Sequence, residues 1–142
     1  MNLIRTIQRT EQQSWIDTLF KPGPHRGRVY PLSPSQLPFP CRLRQNVVGG
    51  TIYLLYRRRI IAYGTIDQVV YRPSVMPVGS ELQPVKPGDT VVVRGTFSRM
   101  PPVSQQVEAR GFMGPRYTPH DLQTLSPKAL RRALEQAHVT VY

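Results

Sequence analysis

The chain has one cysteine, few acidic residues and no long apolar run. A lone Cys41 cannot close an internal disulfide, and no CxxC or Cys/His spacing offers a zinc framework. A nucleophilic thiol needs a base beside it, and no neighbour of Cys41 in sequence supplies one, so it reads as a half-buried thiol. No stretch approaches the roughly 20 apolar residues that span a bilayer. The opening MNLIRTIQRTEQQSW also lacks the apolar core of about 7–15 residues that marks a secretory signal. The expectation is a cytoplasmic protein with no membrane partner. Eight Asp and Glu are scattered, so no paired carboxylates point to general acid–base work or a metal site. No GxxxxGK[ST], GxSxG, HExxH or strand-linked GxGxxG occurs. No catalytic residue, metal or cofactor is assigned.

Cations dominate what is present. Nineteen Lys plus Arg against eight Asp plus Glu leave a net charge of +11 over 142 residues. Of those cations only Lys21, Lys86 and Lys128 are lysine. Arginine grips phosphate bidentately and stacks on bases, whereas lysine acts as a point charge, so the choice points to a polyanion and favours nucleic acid. The length fits one domain, taken as residues 1–142.

The apolar opening Asn2 to Ile7 predicts a strand. Thr10-Glu11-Gln12-Gln13 has the form of a capping box and predicts a helix carrying Trp15, Ile16, Leu19 and Phe20 to the core, ended by Pro22-Gly23-Pro24. A proline-rich basic loop then covers 21–46, with six prolines, five cations and no acidic residue. A connection of that length is usually functional or disordered, and proline lowers the entropy lost when it orders.

After Gly49-Gly50, the runs Thr51 to Tyr56 and Ile60 to Tyr71 predict an antiparallel hairpin with Arg57-Arg58-Arg59 at its tip. Ile60, Ala62, Gly64 and Ile66 should share a face, and Gly64 suggests a bulge or a close backbone approach. A Pro-containing connection from Pro73 leads to a Lys86-Pro87-Gly88-Asp89 turn and a strand from Thr90 to Phe97. Val103 to Phe112 alternates and predicts another strand, with Glu108 inside it. Gly111 to Tyr117 reads as a loop, and Pro119 to Leu122 as a helical turn with Asp121 accepting backbone hydrogen bonds. Ser126 and Pro127 start a final helix with the apolar stripe Leu130, Ala133, Leu134 and Ala137, and His138 to Tyr142 returns to the sheet.

This order, with the GGTIYLLYRRRIIAYGTI hairpin, the VKPGDTVVVRG strand and the ARGFMGPRYTPHDL segment, resembles the PUA-like superfamily that includes the ASCH and EVE domains. The resemblance spans most of the chain. It implies an α+β fold: a small bent mixed β-sheet or partly closed β-barrel with flanking N- and C-terminal helices. It also implies binding of RNA, or of DNA with recognition of a normal or modified base. The G-x-K-x-x-E-x-R motif of ASCH domains is absent, which favours binding over catalysis.

The resulting expectation is a basic nucleic-acid-binding protein. Its candidate contacts are Arg26, Arg28, Arg42 and Arg44 in the loop, Arg57, Arg58 and Arg59 at the tip, and Arg116 with Tyr117. Further cations stand at Arg110, Arg131 and Arg132. Two alternatives are a nucleoside-processing enzyme of the ASCH amidohydrolase type, and an accessory module that binds an acidic protein partner. RNA or DNA, and the oligomeric state, are left open.

Overall fold

The computed structural model describes residues 1–7, 13–21, 28–31, 43–71, 75–78, 81–84 and 89–142. The expected capping box, most of the 21–46 loop and the Lys86-Pro87-Gly88 turn lie outside them. The strands are β1 (Asn2–Thr6), β2 (Arg28–Pro31), β3 (Thr51–Tyr56), β4 (Arg59–Tyr71), β5 (Val75–Val78), β6 (Glu81–Pro84), β7 (Asp89–Val93), β8 (Ser98–Arg99) and β9 (Arg116–Thr118). The helices are α1 (Gln13–Thr18) and α2 (Pro127–Gln136), with short 3-10 turns at Pro102–Gln106 and Leu122–Thr124.

Among these residues one mixed sheet runs β2-β7-β4-β3-β1-β9, with β8 on β4 outside that path, and β5 and β6 form a separate hairpin. The β1–β3 pair is parallel and the other pairs are antiparallel. Of the two expected forms, a small mixed sheet or a partly closed barrel, the structure has the sheet: it is open, with β2 at one edge and β9 at the other.

Both faces of β3 are covered. Ile52, Leu54 and Tyr56 join Leu3, Ile7, Val93 and Phe97 in a core that also takes Ile16 and Leu19, from α1 and the turn that follows it. Tyr53 and Leu55 point the other way, into a core with Ile4 and with Leu130, Ala133 and Leu134 of α2. A strand buried on both faces reads as an unbroken apolar run, as TIYLLY does.

Irregularities in β4 shape the sheet. Register shifts occur where Leu54 and Leu55 face Ala62 and Ile60, and again between Ile66 and Gln68. The first leaves Ile61 as the extra residue and turns Ile60 into the α2-side core, away from Ala62. The shared face expected for Ile60 and Ala62 is thus broken by a bulge. Gly64 is the close approach and not the bulge: a Cβ there would stand 2.6 Å from Val93 Cγ1.

Four other expectations are corrected. Val103 to Phe112 is no strand: Pro102 opens a 3-10 turn that runs to Gln106, and only Ala109 bridges, to Val141. Glu108 therefore lies outside any strand. Residues 138–142 do not return to the sheet; Val141 bridges only to Ala109, itself outside the strands. The Gly111 to Tyr117 loop ends in β9, which covers the free edge of β1. Asp121 makes no side-chain cap; its carboxylate instead accepts from Asn2 Nδ2 at 3.4 Å.

The C-terminal helix follows its sequence signals. Ser126 Oγ accepts from Ala129 N at 3.3 Å, and Pro127 takes the first helical position. At the other end His138 adopts φ 63, His138 N donates to Glu135 O at 3.0 Å, and Val139 N donates to Leu134 O at 2.9 Å. This is a Schellman closure with histidine where glycine is usual.

Tyr53 joins that region to the sheet. Its buried hydroxyl donates to Gln123 Oε1 and accepts from Leu122 N at 2.9 Å. Burial, helped by the Asp121 charge, pushes its pKa up to about 12 despite the Leu122 hydrogen bond. The unfolded chain ionises near the ordinary value of 10.0, so this contribution is whole below that pH and is lost as pH rises to about 12. Urea midpoints should fall across that window, and Tyr53→Phe should show a smaller fall; equal falls in both proteins would refute the linkage. Gly64→Ala should cost about 1–3 kcal/mol by overpacking. Val93→Ala in the same chain should recover part of that loss in urea titrations.

Candidate functional site

The tip of the β3–β4 hairpin is a two-residue turn, because Tyr56 pairs with Arg59. Its central residues, Arg57 and Arg58, have φ 48 and 71. Positive φ at both positions is the signature of a type I′ turn, whose twist suits a hairpin and whose preferred sequence is Asn-Gly. For a residue with a Cβ the left-handed region costs about 1–2 kcal/mol. Arginine therefore occupies this turn against local preference.

The three tip arginines divide. Arg59 turns back into the fold, its Nη2 2.7 Å from Glu108 Oε1 and its Nε donating to Gln105 O at 3.0 Å. Both side chains of that pair are about 40% exposed, so it is worth at most ~1 kcal/mol. Arg57 lies over the Tyr56 ring and Arg58 over the Tyr142 ring, each 4.9 Å from the centroid. Both are exposed and neither forms an ion pair among the described residues.

Arg110 of the 108–110 segment and Arg131 of α2 bring more cations to this end, with residues 140–142 between them. Ala109 N donates to Arg58 O at 2.7 Å, Arg110 N to Thr140 O at 2.8 Å, and Tyr142 N to Glu108 O at 3.0 Å. Arg131 Nη1 reaches the Tyr142 backbone oxygen at 2.7 Å. Tyr142, 55% exposed, thus sits between Arg58 and Arg131, with Arg110 exposed on the adjoining segment. Arg110 and Arg131 were not among the candidate contacts. The only sequence signal for them was charge, because their meeting with the tip depends on pairings between segments distant in sequence.

The remaining candidates lie elsewhere. Arg116 donates to Met113 O at 3.0 Å and Pro115 O at 3.2 Å and lies 4.7 Å from the Phe112 ring centroid, so it closes the loop before β9. Tyr117 packs on the α1-side core, and its hydroxyl accepts from Arg44 N at 2.9 Å. Leu43 N donates to the buried Asp89 carboxylate at 2.6 Å, so Tyr117 and Asp89 together anchor the end of the basic loop. The Arg44 side chain is exposed beside that anchor. Arg28 lies in β2, opposite Val93. Arg26 and Arg42 lie outside the described residues.

For chemistry, Asp67 pairs with Arg94 at 3.0 Å and Glu108 with Arg59, while Lys86 lies outside the described residues. No group of three or more His, Cys, Asp or Glu suited to a metal occurs among the described residues. No helix there is long and apolar enough to cross a membrane. Compared with known proteins, the chain matches no protein-family model, no curated protein and no solved structure.

Replacing Arg57 with Asn and Arg58 with Gly should relieve the turn, offset in part by the lost stacking and by glycine's extra freedom when unfolded. The expected outcome is a net gain of up to about 1 kcal/mol in urea denaturation. A clear loss of stability would show that the arginines support the turn.

Proposed function

We propose that the protein binds nucleic acid, RNA or DNA, through the cationic surface at the β3–β4 tip, with Arg57, Arg58, Arg110 and Arg131 contacting phosphates around Tyr142. The observation that carries this reading is the Arg57-Arg58 turn: two exposed arginines without ion pairs among the described residues stand at positive φ, where asparagine and glycine would fold better. Strain of that kind persists where another requirement holds the residue in place. The +11 charge and the arginine bias supply the matching electrostatics. Tyr142 adds an exposed ring beside the cations, and aromatic platforms of this sort stack single-stranded bases. A small mixed sheet with a helix against each core is one of the two frames that the PUA-like resemblance implies, and Arg44 would extend the footprint along the basic loop.

Fluorescence anisotropy of labelled single-stranded RNA and DNA across a salt series tests the proposal. Log K should fall with log salt by about 0.7 per phosphate neutralised on a single strand. Arg57→Asn with Arg58→Gly should flatten the slope by about 1.4 while the fold stays intact. An unchanged slope removes the tip from the interface, and absence of salt-dependent binding to either polymer overturns the reading.

A further inference from the structure

A groove of about 380 Å³ runs along the outer side of α2, away from the residues assigned above. Leu125 and Ala129 give it an apolar floor, and Lys128, Arg132, His120 and Gln136 form its rim. No carboxylate lines it among the described residues. Lys128 and Arg132 stand four residues apart, hence one above the other on the helix, and both are exposed. Like charges at that spacing repel, and a lysine in the first turn opposes the helix dipole. Glu135, three residues beyond Arg132, forms no ion pair with it among the described residues. At the other side His120 Nε2 lies 3.4 Å from Gln136 Oε1, while the neighbouring Asp121 carboxylate is engaged by Asn2.

These features divide by chemistry. Two cations one turn apart suit a phosphate, the apolar lining of Leu125 and Ala129 suits the face of a base, and an imidazole beside an amide offers donors and acceptors to its edge. An inorganic anion would leave the floor unused, and an apolar ligand would strip water from the cations without replacing it. The volume lies at the small end of ligand sites, which run from roughly 300 to 1,000 Å³. We infer that the groove is a nucleotide subsite, with Lys128 and Arg132 on the phosphate of a nucleoside monophosphate unit, its base on Leu125 and Ala129, and His120 with Gln136 on the base edge.

Arg132 follows Arg131, which holds Tyr142 beneath Arg58, but consecutive positions of a helix face about 100° apart, so the groove lies on another face of α2 than the tip contact. The subsite stands apart from the tip reading, because a mononucleotide can fill it whether or not a polymer binds.

The test is a titration of the isotope-labelled full chain, followed by amide NMR, with the common nucleoside monophosphates, with inorganic phosphate and with adenosine. A nucleotide should produce saturable shifts at Ala129, Arg132 and Gln136, with inorganic phosphate and adenosine each weaker by about tenfold or more. Lys128→Glu and Arg132→Ala should each raise the nucleotide Kd about tenfold, the loss of one charge-assisted hydrogen bond. Lys128→Glu suits the helix start, so its spectrum should stay folded. Phosphate binding as tightly as nucleotide, absence of saturable shifts, or variants with unchanged Kd would overturn the subsite. Strand binding by anisotropy without groove shifts rejects the groove and keeps the tip; groove shifts in a protein that binds no strand do the reverse.

Discussion

The double burial of β3 is the constraint on which the other elements depend. Ile52, Leu54 and Tyr56 face one core while Tyr53 and Leu55 face the other, so each side of the strand requires a cover. The α1 region supplies one and α2 the other. Because β3 is paired along both edges, by β1 and by β4, its backbone is also satisfied within the sheet. The Tyr53 hydroxyl then ties the second layer in register, since it accepts from Leu122 N at the approach to α2. Loss of that tie would leave a buried N–H at the joint between sheet and helix.

The hairpin tip inherits its position from this arrangement. β3 delivers Arg57 and Arg58 at the end of the sheet where the 108–110 segment is hydrogen-bonded to Arg58 and to residues 140–142. Arg131 reaches the same place from α2. The core thus converts charges more than seventy positions apart in sequence into neighbours. Two sites place cations where local physics disfavours them: Arg57 and Arg58 in a turn that prefers asparagine and glycine, and Lys128 in the positive end of a helix. A coat of charge for solubility would carry no such local cost. By contrast Arg59, Arg94 and Arg116 are spent within the fold, on Glu108, Asp67 and backbone carbonyls.

Elements with strong local signals were legible in the sequence. The hairpin is written in two apolar β-rich runs, and α2 in its Ser126-Pro127 start and apolar stripe. Gly64 was correctly singled out for close approach, because only the absence of a Cβ marks such a contact in sequence. The short elements were not legible. β9 has three residues and forms because β1 has a free edge to fill, and the Val103 to Phe112 alternation was overridden by the 3-10 turn that Pro102 opens. The bulge at Ile61 carries no residue signal at all, yet it moves Ile60 from one core to the other.

From the sequence alone came the +11 net charge, the preference for arginine, the absence of a catalytic motif and the position of the Arg57-Arg58-Arg59 tip, because composition and two-residue periodicity are local properties. Tertiary structure alone decided that the sheet stays open, that Arg59 belongs to Glu108, and that Arg110, Arg131 and Tyr142 join Arg57 and Arg58. It also decided that Lys128 and Arg132 border a groove with His120 and Gln136. Those outcomes depend on which segments meet across the two cores, and long-range packing of that kind leaves no periodic trace in the chain.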